Sequence, residues 1–255
     1  MSYADKISAL AHMLQKSQPA FAFTGAGMST ESGIPDFRSP GSGLWTKVDP
    51  ASVSTLTVLK KDPQKFYQFN LPRWQSYRQA RPNTGHLALA ELERRGLLVG
   101  VITQNIDGLH QAAGSRRVWE LHGNLRECYC LSCREKDEFD VLAEKVGSGE
   151  IPPRCRHCGG ILRPAVVLFE DRMSEDYFQA VQVLSGCQLL LLLGSSLKVY
   201  PAAALPEKAR RVVIINHDPT AWDERAELVF RESIGRVLGD LLAELDIKRA
   251  VEWSG

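Results

Sequence analysis

The chain opens on an amphipathic stretch. Across residues 4–16, Ile7, Leu10, Ala11 and Leu14 fall on one face at the 3.6-residue period, which predicts a helix with one buried stripe. Pro19 ends that pattern, and the unbroken run Ala20-Phe21-Ala22-Phe23 predicts a short buried strand. A second helix is predicted over 63–80, anchored by Phe66, Phe69 and Trp74, and a third from His86 to Leu98, ending near Gly96. Apolar runs then recur at Val99 to Thr103, Val118 to Leu121, Val166 to Phe169, Leu189 to Leu193 and Val212 to Ile215. They are short and continuous rather than alternating, as parallel strands covered on both faces are. Helical patterns over 175–184 and 235–245 separate several of them. The alternation predicts an α/β fold with a doubly wound, Rossmann-like parallel sheet.

Two stretches depart from the pattern. Residues 32–50 form a Gly-, Ser- and Pro-rich loop that nevertheless contains Phe37, Leu44 and Trp45, and loops of that length in compact domains are usually functional. Residues 123–163 hold two C-x-x-C pairs, Gly-rich turns and Pro152-Pro153, and read as a small metal module inserted into the α/β domain. The expected division is therefore a Rossmann-like domain over 1–122 and 164–255, with a loop and helical segment at 35–80, and a zinc-ribbon insert at 123–163.

Composition narrows the function. A chain of 255 residues that is 44% hydrophobic can bury a sizeable core. Lys and Arg total 31 against 30 Asp and Glu, so no basic excess points to nucleic acid. Asp5 and Lys6 interrupt any leader-like pattern early, and the longest apolar run, Leu189 to Leu193, is far too short to span a bilayer. The expectation is a soluble cytoplasmic protein with no membrane partner.

Four of the six cysteines fall into Cys130-x-x-Cys133 and Cys155-x-x-Cys158, separated by twenty-one residues. Two such knuckles present four thiolates to one tetrahedral ion, and Gly159-Gly160 permits the tight turn the second needs. Four thiolates close the coordination sphere, so the reading is one structural zinc per chain. A redox C-x-x-C needs only one pair. Cys128 and His157 are alternative ligands, and Cys187 reads as packing.

Polar residues gather where the predicted strands end. Gly25-Ala26-Gly27 after the first strand fits a turn that cradles a pyrophosphate, although Thr30 stands where a third glycine would complete the dinucleotide fingerprint. Taken alone, that turn is as well read as an ordinary tight turn, and the missing acidic residue beyond it argues against a standard dehydrogenase. Gly194-Ser195-Ser196 and Asn216-His217-Asp218 follow two further strands, where ligands of open α/β sheets bind; helix capping is the plainer alternative. Gln104, Asn105, Asp107 and His110 follow the strand Val99 to Thr103, and His122 follows Val118 to Leu121. An imidazole at such a strand end can take a proton at neutral pH.

These motifs, in this order, resemble the sirtuin family of NAD-dependent protein lysine deacetylases, in its short prokaryotic form. Gly25-Ala26-Gly27-Met28-Ser29 with Gly33-Ile34-Pro35-Asp36-Phe37-Arg38 is similar to the family's cofactor loop. Thr103-Gln104-Asn105-Ile106-Asp107-Gly108-Leu109-His110 and Glu120-Leu121-His122-Gly123-Asn124 are similar to its two catalytic motifs. Gly194-Ser195-Ser196-Leu197 and Val199-Tyr200-Pro201-Ala202 match its late cofactor and substrate strand, and the four cysteines its zinc ligands. The resemblance covers nearly the whole chain.

It implies that NAD, consumed as co-substrate, lies across the carboxyl edge of the sheet. Its pyrophosphate would lie near Ala26, Gly27 and Ser195, with Gly25, Thr30, Gly194 and Ser196 among the other cofactor-binding residues. Asp36, Phe37 and Arg38 would fold over it, and Gln104, Asn105, Ile106, Asp107 and His122 would surround its nicotinamide ribose. Asn216, Asp218 and Ile234 complete the implied set. The acyl oxygen of a modified lysine would attack C1′ of the ribose and expel nicotinamide. His122 would then act as general base on a ribose hydroxyl, with Asn105 placing a water or ribose oxygen. The products would be free lysine, nicotinamide and O-acyl-ADP-ribose. The acylated-lysine protein or peptide would bind against Phe37, Val167, Phe169, Leu197 and Val199. A monomer is expected.

Several positions depart from many relatives. Glu170 replaces a glycine beside the substrate strand, and Lys198 replaces an apolar residue, which would favour acidic residues next to the target lysine. The segment from Pro206 to Arg211 is shorter than usual, which would reduce a helix there to a turn. Relatives that prefer succinyl- or malonyl-lysine carry Tyr-x-x-Arg, whereas the matching stretch here runs from Tyr67 to Asn70, so neutral acyl groups are expected. Mono-ADP-ribosyl transfer, succinyl or malonyl specificity, and NAD sensing without turnover are the competing readings.

Overall fold

A computed structural model describes residues 1–36 and 48–252. The first helix, α1 (Tyr3–Lys16), begins at a reciprocal cap: the Ser2 hydroxyl accepts from the Asp5 N–H while the Asp5 carboxylate accepts from the Ser2 N–H. Beyond it run α2 (Leu56–Lys61), α3 (Pro63–Gln79), α4 (Thr84–Arg94), α5 (Leu109–Ala112), α6 (Phe139–Gly147), α7 (Glu175–Val183) and α8 (Ile234–Glu252). The strands are β1 (Ala20–Thr24), β2 (Gly100–Thr103), β3 (Val118–Glu120), β4 (Gly123–Cys130), β5 (Lys136–Glu138), β6 (Leu162–Val166), β7 (Leu189–Leu193), β8 (Val212–Ile215) and β9 (Leu228–Phe230).

Six strands form a parallel sheet in the order β3-β2-β1-β7-β8-β9. The expected continuous apolar runs are explained by cover on both faces. Ala20, Ala22, Val101, Leu191 and Val213 face a core with α1, α4 and α8. Phe21, Phe23, Ile102, Leu190 and Ile214 face the other way, onto Ala180 and Leu184 around α7 and onto the 3-10 helix Ala202–Lys208. Where a shortened turn was expected near Pro206, that 3-10 helix supplies Ala202, Ala203 and Leu205 to the second core.

A second lobe grows from two excursions of the chain, one between β1 and α4 and one between β3 and α7. Its antiparallel sheet has the order β5-β4-β6. A third buried cluster joins this sheet to α3 and α6 through Phe66, Tyr67, Trp74, Phe139 and Leu162. The expected parallel strand Val166 to Phe169 is corrected here. Val166 ends β6 and pairs with Gly123 of the small sheet, while Phe169 makes only an isolated bridge to Thr55. Apolar residues there are buried by the small lobe, and the sixth parallel strand is instead β9, three residues long at the sheet edge.

Candidate active site and metal centre

The strand order places the sheet's switch point between β1 and β7, where the chain leaves in opposite directions and open α/β sheets bind ligands. The two turns there lock together through backbone. Gly25 N–H donates to Leu193 O at 3.0 Å and Gly27 N–H to Gly194 O at 2.8 Å. Side chains would not fit: a Cβ on Gly27 would sit 2.8 Å from Gly194 Cα, and one on Gly194, at φ +60, would sit 2.4 Å from Met28 N.

Above this junction lies a cleft of about 630 Å³ between the sheet edge and the small lobe. Gly25, Ala26 and Gly27 line it, as do Gly194, Ser195 and Ser196 from the facing turn. So do Asp36, Gln104, Asn105, Ile106, Asp107 and His122. Asn216 and Asp218 line it beyond β8, and Val167, Phe169 and Val199 line its other side. Thr30, Leu197 and Ile234 do not line it. Thr30 is exposed, its hydroxyl donating back to Gly27 O. Ile234 packs in the core under α8, and Leu197, held at φ 52, is buried in the core around α7. Phe37 and Arg38 lie outside the described residues.

The catalytic candidates are held by hydrogen bonds from distant parts of the chain. His122 Nδ1–H donates to Gln104 O at 2.9 Å, which puts the lone pair on Nε2. Asn105 is buried; its Nδ2 donates to Gly25 O and to Ser29 Oγ, each at 3.1 Å, and its backbone N–H to Thr103 Oγ1 at 3.0 Å. Ser29 Oγ donates onward to Asp107 Oδ2 at 2.7 Å, and Asp107 Oδ1 accepts the Leu109 N–H. Burial raises the Asp107 pKa above the usual carboxylate value, against the pull of those two hydrogen bonds. Gln104 Nε2 donates to Ser195 Oγ at 2.8 Å, tying β2's end to β7's. Ser29, which the sequence presents only as the last residue of a cofactor-loop motif, holds both Asn105 and Asp107. Its signal was a short hydroxyl two residues beyond the Gly-x-Gly turn.

The small lobe supplies the far wall with Ile34, Asn70, Arg73, Trp74 and Tyr77. Asn70 is committed: its Nδ2 donates to Val53 O and Phe66 O, and its Oδ1 accepts from the Ser54 hydroxyl. Tyr67 is fully buried with its hydroxyl on Leu162 O at 2.8 Å. Arg73 stacks on the Phe69 ring at 3.4 Å and leaves its Nη2 without a partner. Glu170 occupies a left-handed φ of 77, and its carboxylate accepts from both the N–H and the hydroxyl of Thr57 at the start of α2. Its charge is thus spent on α2.

Cys130, Cys133, Cys155 and Cys158 bring their Sγ atoms within 4.8 Å of one another. Sγ–Sγ separations of 3.5 Å for Cys130–Cys158 and 3.8 Å for Cys133–Cys155 match the roughly 3.8 Å edge of a tetrahedron with Zn–S bonds of about 2.3 Å. Ser132 N–H donates to Cys130 Sγ and His157 N–H to Cys155 Sγ, as thiolate knuckles require. The four residues therefore form a cluster that fits one structural zinc. Cys128 stands apart: its Sγ donates to Glu138 O, and burial pushes its thiol up to about 11. His157 lends its backbone, not its ring. Burial likewise pushes Cys187 up to about 12, in keeping with a packed thiol.

A sequence model of the Sir2 family matches residues 25–201. The chain is 48% identical, over 91% of its own length and 92% of the relative's, to an NAD-dependent protein deacetylase 2 of Caldanaerobacter subterraneus. It is 46% identical, over 96% and 97%, to an NAD-dependent protein deacetylase of Sulfolobus acidocaldarius. Among solved structures, one of Sir2 with a deacetylated p53 peptide and 3'-O-acetyl ADP-ribose superposes with a TM-score of 0.88 at 37% identity, covering 93% of this chain and 98% of the other. One of Sir2 with p53 peptide and NAD+ gives 0.85 at 36%, covering 94% and 98%.

Proposed function

For a chain that belongs to the Sir2 family, as this one does, we propose that the cleft between the sheet edge and the zinc-bearing lobe houses NAD-dependent deacetylation of protein lysine side chains. The enzyme consumes NAD and acetyl-lysine and releases nicotinamide, free lysine and O-acetyl-ADP-ribose. NAD supplies a ribose carbon activated by its nicotinamide leaving group.

The observation that carries the assignment of roles is the tautomer of His122. With Nδ1–H fixed on Gln104 O, Nε2 is the basic nitrogen, and it belongs to a ring lining the same cleft as Asn105 and the glycine turns. His122 is the general base. Asn105 has its amide NH2 committed to Gly25 and Ser29, so its Oδ1 is positioned to orient a hydroxyl or water. Asp107, braced by Ser29 and Leu109, grips a carboxamide donor. Ala26, Ser195 and Ser196 offer backbone and hydroxyl donors to phosphates, Gly25, Gly27 and Gly194 let the phosphates approach where a side chain would stand, and Asn216 and Asp218 hold ribose hydroxyls. The acyl-lysine protein enters between Val167, Phe169 and Val199. The zinc holds the lobe together without entering the chemistry. We place the enzyme in the cytoplasm as a monomer; no helix among the described residues is long and apolar enough to cross a membrane.

The test is a panel of acyl-lysine peptides assayed with and without NAD, with products identified by mass. Acetyl-ADP-ribose and NAD-dependent loss of the peptide acetyl group are expected. ADP-ribose attached to protein, with the acetyl group retained, would overturn the reading in favour of ADP-ribosyl transfer.

A further inference from the structure

Two histidines lie beneath the cleft, outside the roles assigned above. His86 on α4 and His110 on α5 are 0% and 1% exposed, with ring centroids 4.8 Å apart and planes at 56°. Each has one ring nitrogen bonded and one without a partner: His86 Nε2 and His110 Nδ1. Buried polar atoms without partners are rare enough to need a reason.

The bonded nitrogens fix what the others are. Asn83 N–H, at the cap of α4, can only donate, so His86 Nδ1 accepts at 3.3 Å and its proton sits on Nε2. On the other ring, Thr24 Oγ1 donates to Thr103 Oγ1 at 2.8 Å and lies 3.0 Å from His110 Nε2. Of the two directions a pair of threonine hydroxyls can take, this one lets Thr24 Oγ1 accept from His110 Nε2–H and leaves a lone pair on Nδ1, whereas the reverse would leave two buried N–H groups facing each other. The two atoms without partners are therefore a donor, His86 Nε2–H, and an acceptor, His110 Nδ1, in adjoining rings.

Thr24 and Thr103 end β1 and β2 and are register partners. Thr103 Oγ1 also accepts the Asn105 N–H at 3.0 Å. We propose that these two unpartnered atoms pair with each other, joining His86, His110, Thr24 and Thr103 into one hydrogen-bonded network that runs from the cap of α4 to Thr103 Oγ1, the acceptor of the Asn105 N–H, and sets that residue's position in the cleft. Asn83 fastens the same end to the cofactor loop, its Nδ2 donating to Met28 O and Ser32 Oγ. The chain thus braces Asn105 from below while Gly25 and Ser29 hold its amide from the side. A proton added to His110 would set two donors against each other, so the chain works only with both rings neutral. Burial favours this state, lowering His86 to about 4 and His110 well below the usual histidine value. These four are positioning residues, and the inference rests on the cleft being where Asn105 works.

The first measurement needs no variant and no turnover. Nitrogen-15 imidazole spectra of the whole protein between pH 5.5 and 8 should show both His86 and His110 as neutral Nε2–H tautomers. An Nδ1–H tautomer or an imidazolium at either ring in that range overturns the proposal. The second is kinetic. Thr24→Val keeps the shape and removes the hydroxyl, and should lower kcat about tenfold, with peptide KM changed less than about twofold. Thr24→Ser should restore kcat. Wild-type kcat in Thr24→Val, or no recovery in Thr24→Ser when both fold, also overturns it. If Thr24→Val does not fold, the tautomers decide. Failure of the wild type to release nicotinamide would refute the assigned activity instead, and would leave the tautomers as they are.

Discussion

Removing zinc should unfold more than the cysteine knuckles. The ligands Cys130 and Cys155, with Cys128 beside them, pack in the same buried cluster as Phe66, Tyr67 and Trp74 of α3 and Phe139 of α6. Tyr67 donates to Leu162 O, and Trp74 meets Phe139 edge-on at 6.2 Å. The parallel sheet, in contrast, is buried by two clusters of its own that include none of the four ligands. Zinc binding to small structural sites contributes about 10–16 kcal/mol. Whole domains are stable by only about 5–15 kcal/mol. A lobe that loses the metal therefore loses an amount comparable to all its stability, and among the described residues α3 packs in no other core cluster. Hydrogen exchange followed by mass spectrometry, on protein with zinc, after chelation and after zinc is restored, measures this directly. Segments 63–79 and 139–147 should lose protection together with 130–158, while 20–24 and 189–193 keep theirs. Activity should disappear with the far wall of the cleft and return with zinc. If 63–79 stays as protected without metal as with it, the shared-core reasoning is wrong.

Three further outcomes follow from the site. His122→Ala should lose deacetylation by roughly 10²–10⁴ while still binding NAD, measured by calorimetry beside turnover; near-wild-type turnover would refute its role as base. The neutral state of His86 contributes stability above its unfolded pKa of about 6.5, and that stability is lost as pH falls towards its folded value of about 4. The loss is on the order of 3 kcal/mol, and His86→Gln, which can still cap α4, should show a shallower fall in Tm between pH 7 and 4.5; parallel curves would contradict it. Acetyl peptides should exceed succinyl peptides in kcat/KM by roughly 10–100-fold, because Asn70 is fully bonded and offers no cation to a buried carboxylate. A higher value for succinyl would point to the unpartnered Nη2 of Arg73, and Arg73→Met would then abolish that activity selectively.

What could be read from the sequence divides along a physical line. Burial on both faces leaves a local mark, so the five leucines of β7 and the run Val212–Ile215 identify themselves as inner parallel strands. Metal knuckles are equally local, since each pair of ligands spans four residues. An apolar run reports burial but not which sheet provides it, which is why Val166 to Phe169 looked like another parallel strand. The charge just before it marks the difference: Arg163 lies over the Tyr129 ring of β4. It is 1% exposed, paired with Asp171 and bonded to Pro164 O and Val166 O, so its charge is buried only together with these partners. The edge strand β9 was missed for the opposite reason: at three residues, with Val229 half-buried, it buries too little to leave a pattern.

The same line runs through the site. Gly25, Asn105 and His122 stand out because each lies in a compact motif at a strand end. Ser29, Thr24, Asn83 and His86 do not, because the partners that tie them to the site are 24 to 86 positions away in the chain. Their residue types are ordinary in turns, caps and helices, and no spacing rule links them. Yet position, more than identity, determines what Asn105 can do: an amide displaced by about 1 Å can cost on the order of a hundredfold in rate. The residues that prevent such a displacement are those the parallel sheet brings together, with Thr24 and Thr103 side by side at the ends of β1 and β2 and both histidines beneath them. In this enzyme the groups that meet the substrate can be read from local motifs, whereas the groups that aim them exist as a set only once the strands have paired.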